Sequence, residues 1–163
     1  MNALSSLAGG FAGACALTLI HQSVKEVVPQ APRMDLLGMD ALSKVIKSTG
    51  HTPPKKNQLY NITLTGDVVS NALYYSLAGI GNEKGAWVRG ALLGLGAGLG
   101  AVLLPEPLGL KEAPSNRTTE TKVMTVALYL IGGLVATAVT KWLNNKDKNK
   151  RALQDESVWS YQY

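Results

Sequence analysis

One carboxylate stands inside an otherwise apolar stretch of this 163-residue chain. Asp67 lies within residues 62–81, and Asn71 follows it by one helical turn, with Ser70 and Tyr74 close by. An acid within a membrane segment is costly unless it is neutral or paired, so it marks a candidate site by default. Asp67 sits about five residues inside the stretch, or roughly 8 Å at 1.5 Å per residue. That depth points it toward the preceding loop. Its candidate partners are His21 at the end of the first apolar stretch, Lys122 at the start of the last, and a loop cation such as Arg33. Arg89 belongs to the opposite interface, where a long side chain can snorkel to water. With His21, Asp67 could relay protons or hold a cation. The blander alternative is a structural acid near the headgroups, satisfied by Asn71, Thr18 or water. It is preferred because charges near an interface cost less than central ones.

Other chemistry is scarce. One cysteine excludes an internal disulfide framework, and two histidines leave too few ligands for a structural zinc site. The chain has no HExxH, no CxxC and no clustered carboxylates. Gly94-Leu95-Gly96-Ala97-Gly98 resembles a phosphate loop only as letters, because such a loop must join a strand to a helix and here lies within an apolar run. Asn61-Ile62-Thr63 and Asn116-Arg117-Thr118 match the glycosylation acceptor, a triplet common by chance. No catalytic, cofactor-binding or metal-binding residue is assigned, and neither a cofactor nor a nucleic-acid partner is expected.

The elements that must position Asp67 follow from charge segregation. Residues 4–20, 62–81, 86–104 and 123–140 contain only Asp67 and Arg89 of the 27 charged residues. Crossing a bilayer takes roughly 20 mostly apolar residues, with about 17 as the short limit. The predicted fold class is therefore all-α. It is a polytopic membrane protein of four transmembrane helices, with crossings at about 3–21, 61–81, 86–104 and 123–142. The first is read as a retained helix and not a signal peptide, since Met1 and Asn2 supply no basic head. Between the first and second crossings, Met34, Leu37, Gly38, Ala41, Leu42, Val45 and Ile46 recur at helical spacing. They predict an amphipathic loop helix over 33–49, lying in the headgroup plane or packed on the protein. Residues 1–143 then form one transmembrane domain, and 144–163 a basic, mobile tail.

Thirteen of the 17 glycines fall in the four segments. Small residues let membrane helices approach closely, so Gly9 and Gly13 in the first crossing and Gly90, Gly94 and Gly98 in the third are expected packing positions. Four crossings put both termini on one side. The dense basic run behind the fourth crossing favours the cytoplasm for that side, in a bacterial inner membrane. The functional expectation is a non-enzymatic subunit or scaffold, partnered by the bilayer and by other membrane subunits or further copies of itself. A small channel or transporter with Asp67 and Asn71 in its path is the alternative, and a lipid-acting enzyme using His21 and Asp67 comes third.

Overall fold

The computed structural model describes the backbone of residues 1–160 and the side chains of residues 1–154. The described residues are helical throughout, without strands: α1 (Ala3–Val27), α2 (Met34–Ser48), α3 (Lys56–Ser76), α4 (Ala86–Leu103), the short α5 (Ala113–Asn116) and α6 (Thr119–Ser160). Local chemistry sets most boundaries. Asn2 caps α1 by accepting the Ser5 N–H at 2.7 Å, one of the donors a helix start leaves unpaired. α1 runs on past His21 because no breaker occurs before Pro29, and Lys25 in its last turn complements the helix dipole. The loop helix appears as α2, close to its expected span, and Gly50 just beyond it takes φ +79°. α4 ends two residues before Pro105.

Among the described residues three helices, not four, are long and apolar enough to cross a membrane: α1, α4 and the Thr119–Gln154 part of α6. The expected second crossing, 61–81, forms the helix α3 but falls short. The reason is composition and not length, since α3 has 21 residues and α4 only 18. α3 takes in Lys56, Asn57, Gln58, Asn61, Asp67 and Asn71, while the apolar Leu77–Gly79 tightens into a 3-10 turn and leaves the α-helix. The second difference concerns the tail. Helix α6 does not stop near Trp142 but continues to Ser160. The Asn2 side-chain amide donates to Asp147 at 2.6 Å, its backbone N–H donates to Asn144 at 3.2 Å, and Lys141 and Lys148 both pair with Glu83. Residues 161–163, expected to be mobile, lie outside the described residues.

Successive long helices run antiparallel. Tyr60 at the head of α3 donates to Gln22 near the end of α1, while Gly79 beyond α3 meets Ser6 near the start of α1. α6 is central, with α1 on one side and α4 on the other, and α3 lies against α1. A Cβ placed on Gly94 would come within 2.7 Å of Leu130 Cα, and one on Gly98 within 2.7 Å of Val126 Cα. On Gly90 it would reach the Gly133 carbonyl at 2.8 Å. On α1, Gly9 and Gly13 stand equally close to Ala136 of α6, at 2.6 and 2.7 Å. The buried core that joins these helices is Leu17, Tyr75, Leu128, Tyr129 and Ala136.

Candidate functional site

α3 and α4 meet at only one end. There the Tyr74 hydroxyl donates to the Leu93 carbonyl of α4 at 3.2 Å, and beside it the Tyr75 hydroxyl donates to the Tyr129 carbonyl of α6 at 2.8 Å. Toward the other end the two helices part and leave a cleft of about 600 Å³. One wall is the Asp67, Ser70, Asn71 and Tyr74 face of α3; the other is the Gly96, Ala97, Gly100 and Ala101 face of α4. Tyr129 of α6 forms its floor. Met34, Leu37 and Ala41 of α2, with Pro105 and Leu108, close the loop end.

The geometry of α4 explains why the cleft exists. Residues four apart share a helix face, whereas residues two apart are about 200° away from each other. Gly90, Gly94 and Gly98 therefore face α6, and Gly96 and Gly100 face away from it. A Cβ on Gly96 would meet only the Tyr74 hydroxyl, at 3.5 Å, and one on Gly100 only Leu104 of the same helix, at 3.4 Å. The second glycine row thus borders open space.

The predicted site residues are brought together in part. Asn71 is buried, and its amide donates to Asp67 Oδ1 at 2.9 Å. Ser70 is exposed and bonds the Asp67 carbonyl of its own helix at 3.1 Å. His21 takes a different partner. It is 6% exposed, and its Nε2 lies 2.7 Å from the Pro32 carbonyl, which places the ring proton on Nε2 and makes His21 an anchor for the α1–α2 loop. His21 and Asp67 do line two small spaces in common, of about 30 and 10 Å³. Thr18 borders both and Thr63 the larger, and both hydroxyls are buried without a hydrogen-bond partner. The larger space suits roughly one or two bridging waters, and polar, unpaired surroundings are where such waters reside. Arg33 and Lys122 are not partners of Asp67: Arg33 pairs with Asp35, and Lys122 is exposed.

Sequence reasoning passed over the charged node that holds the loop end. Asp35 is buried, with Arg33 at 3.0 Å and Lys25 at 3.4 Å. Burial pushes the Asp35 carboxyl up, but the Arg33 hydrogen bond and the Lys25 and Arg33 charges outweigh it and hold the group below its ordinary value. Around this node, Thr121 donates to the Gln30 carbonyl at 2.8 Å, Arg33 N–H to the Pro114 carbonyl at 2.7 Å, and Arg117 to the Pro29 carbonyl. The passed-over signal was spacing: Lys25 at the end of one helix and Asp35 at the start of the next, across a Pro-bounded turn. A second passed-over feature is the buried threonines of α6. Thr125, Thr137 and Thr140 each return their hydroxyl to the carbonyl four residues back, and two of them reach further: Thr125 to the Ser115 carbonyl at 3.0 Å and Thr137 to the Ala86 carbonyl at the head of α4 at 3.5 Å.

Comparison of the chain with protein-family models, curated proteins and solved structures finds no match. The fold itself defines the class: a helical bundle with three candidate membrane-spanning helices, compatible with a multi-pass membrane protein.

Proposed function

We propose that this chain is a small multi-pass membrane protein acting as a non-enzymatic subunit or scaffold of a membrane assembly. Four crossings are proposed, with α3 as the fourth, because it lies antiparallel along α1 for its length and has Asn71 and Tyr75 turned inward. Residues 2 and 144 then share one membrane face, with the cytoplasm preferred. One observation carries the scaffold reading: the close approach of α1 and α4 backbones to α6 at Gly9, Gly13, Gly90, Gly94 and Gly98. Glycine-lined helix contact of this kind gives a rigid unit and excludes solvent between the helices. Exposed Val88, Leu92, Leu99 and Leu103 on α4 offer an apolar face to lipid or to neighbouring subunits.

The conduit reading is second. Asp67 favours it, since this half-buried acid borders both the cleft and the small spaces beside His21. Spaces of about 30 and 10 Å³ are nonetheless too small for a hydrated path through one copy. The test is a mass measurement of the detergent-solubilised protein, read beside ion and proton flux in reconstituted vesicles. The scaffold reading expects a particle heavier than the 17.3 kDa chain, with bound subunits or further copies, and no flux. A solitary chain whose flux disappears in Asp67→Asn refutes it.

A further inference from the structure

We propose that the cleft between α3 and α4 binds a membrane amphiphile with a protonated amine head, which sits on the Asp67 carboxylate while its hydrocarbon tail lies along Gly96 and Gly100. The inference goes beyond the scaffold role and rests on α3 lying in the membrane. Volume comes first. About 600 Å³ falls in the range of small-molecule sites, which are mostly apolar with a few placed polar groups. A partner helix does not fit. A cylinder about 10 Å wide and 30 Å long occupies roughly four times that volume. Both ends of the cleft are also closed, one by the Tyr74–Leu93 bond and the other by α2 and Pro105. The occupant is therefore small and enters sideways.

Charge selects its head. Asp67 is the one ionisable carboxylate or amine on the cleft walls. Among the described residues no Lys or Arg stands within ion-pair distance of it: Lys25 and Arg33 belong to Asp35, and Lys44 to Asp40. Asn71 occupies Oδ1 alone. An acid at this depth that has one amide donor and no cation wants a second donor carrying positive charge. A sulfate or phosphate head would meet like charge there, and a neutral alcohol would leave the acid without a counter-ion. The tail has its place in the two glycines. Gly96 and Gly100 strip side chains from the α4 wall, and Ala97 and Ala101 continue the shallow apolar surface.

The probes are dodecylamine and 1-dodecanol, which share a chain and differ in the head. Binding of each to the full-length protein in a neutral maltoside detergent is read by titration calorimetry, with thermal stability of each variant measured in the same detergent. A charge-assisted hydrogen bond should make dodecylamine bind about tenfold or more tighter than dodecanol. Asp67→Asn keeps the size of the side chain and should erase that preference. A Cβ at Gly100 meets no backbone and only the flexible end of Leu104, at 3.4 Å, and Gly100 lines the cleft, so Gly100→Leu extends toward the cleft. It should fold as well as wild type and weaken both probes at least about tenfold, by filling the cleft. Wild type that binds neither probe, or binds the two equally, overturns the site. So does Gly100→Leu that binds dodecylamine unchanged. Each of those results leaves the scaffold reading standing, because that reading is decided by particle mass and flux.

Discussion

Two glycines on α4, one turn-fraction apart, should respond oppositely to the same methyl group. Gly94 faces α6: its added Cβ would sit 2.7 Å from Leu130 Cα and 2.7 Å from the Tyr129 carbonyl. Those are backbone atoms, so relief requires the two helices to move apart along their whole contact, through Gly90 and Gly98. Forcing an extra carbon into a filled interface costs about 1–3 kcal/mol. Gly96 faces the cleft, where the nearest atom to an added Cβ is the Tyr74 hydroxyl at an ordinary 3.5 Å. There the only term left is the helix preference of Ala over Gly, at most about 1 kcal/mol in favour of Ala, and less where the bilayer already holds the helix closed. The expected separation between Gly94→Ala and Gly96→Ala is therefore roughly 1–4 kcal/mol, with opposite signs. Unfolding titration in mixed dodecyl sulfate and maltoside micelles measures it directly. Equal destabilisation by the two substitutions, or a Gly94→Ala protein as stable as wild type, would refute the claim that one row packs while the other lines open space.

Three further outcomes are expected. Asp35→Asn should cost roughly 1–3 kcal/mol in the same titration, short of a fully buried pair because the Arg33 side chain is 44% exposed. Because the folded carboxyl is held below its ordinary value of 3.8, its stabilisation is complete above that pH and is lost as pH falls through the lower folded value; wild type should weaken below about pH 4 and Asp35→Asn should lose that part of the dependence, a pH series that shows no difference between them counting against the node. Asp67→Asn should melt within a few degrees of wild type, whereas Asp67→Leu, which strands the buried Asn71 amide, should lose about 1–3 kcal/mol; a Leu variant as stable as the Asn variant would show that the Asp67–Asn71 bond holds nothing. Reporter fusions near Asn2 and after residue 154 should agree with each other and disagree with one at Thr52, and matching signals at Thr52 and the far end would mean that α3 does not cross.

Much of the helical order was legible because it depends on short-range signals. The α2 stripe, the stop before Pro105 and the charge-free runs of α1, α4 and α6 are written within a few residues of where they act. α3 falls short of the expected crossing in apolarity and not in length: it begins at Lys56 and so takes in Asn57 and Gln58, it keeps Asn61, Asp67 and Asn71 within its 21 residues, and it loses the apolar Leu77–Gly79 to a 3-10 turn. The basic segment after Trp142 has the composition of a solvated tail, yet it continues α6. Asn144, Asp147 and Lys148 form one edge of the extended helix, and their partners, Asn2 and Glu83, are more than sixty residues away in the chain. His21 and Asp67 border the same small spaces, but they make no direct bond. The imidazole N–H donates instead to the Pro32 carbonyl, a backbone acceptor that no side-chain pattern announces.

The cleft marks where this kind of legibility ends. Gly90, Gly94 and Gly98 carry the same letter as Gly96 and Gly100, and the five differ only in what lies opposite. Period four separates the two rows, which is a local fact. Which row borders open space depends on where α3 stands, and α3 is joined to α4 at a single end, through Tyr74 to Leu93, beside its bond to α6 through Tyr75 to Tyr129. α1 grips α3 at that same end through Gly10, whose added Cβ would sit 2.7 Å from Ser76 N, and at the far end through the Tyr60–Gln22 bond at 3.3 Å, where α2 also packs on α3 at Gly38 and Thr63, so α3 cannot swing toward α4 without leaving both. The one acid of the apolar segments thus faces a cavity because α1 and α2 hold α3 along its length while α4 meets it at one end alone. Gly10→Leu should loosen that hold and alter the cleft without touching any residue that lines it.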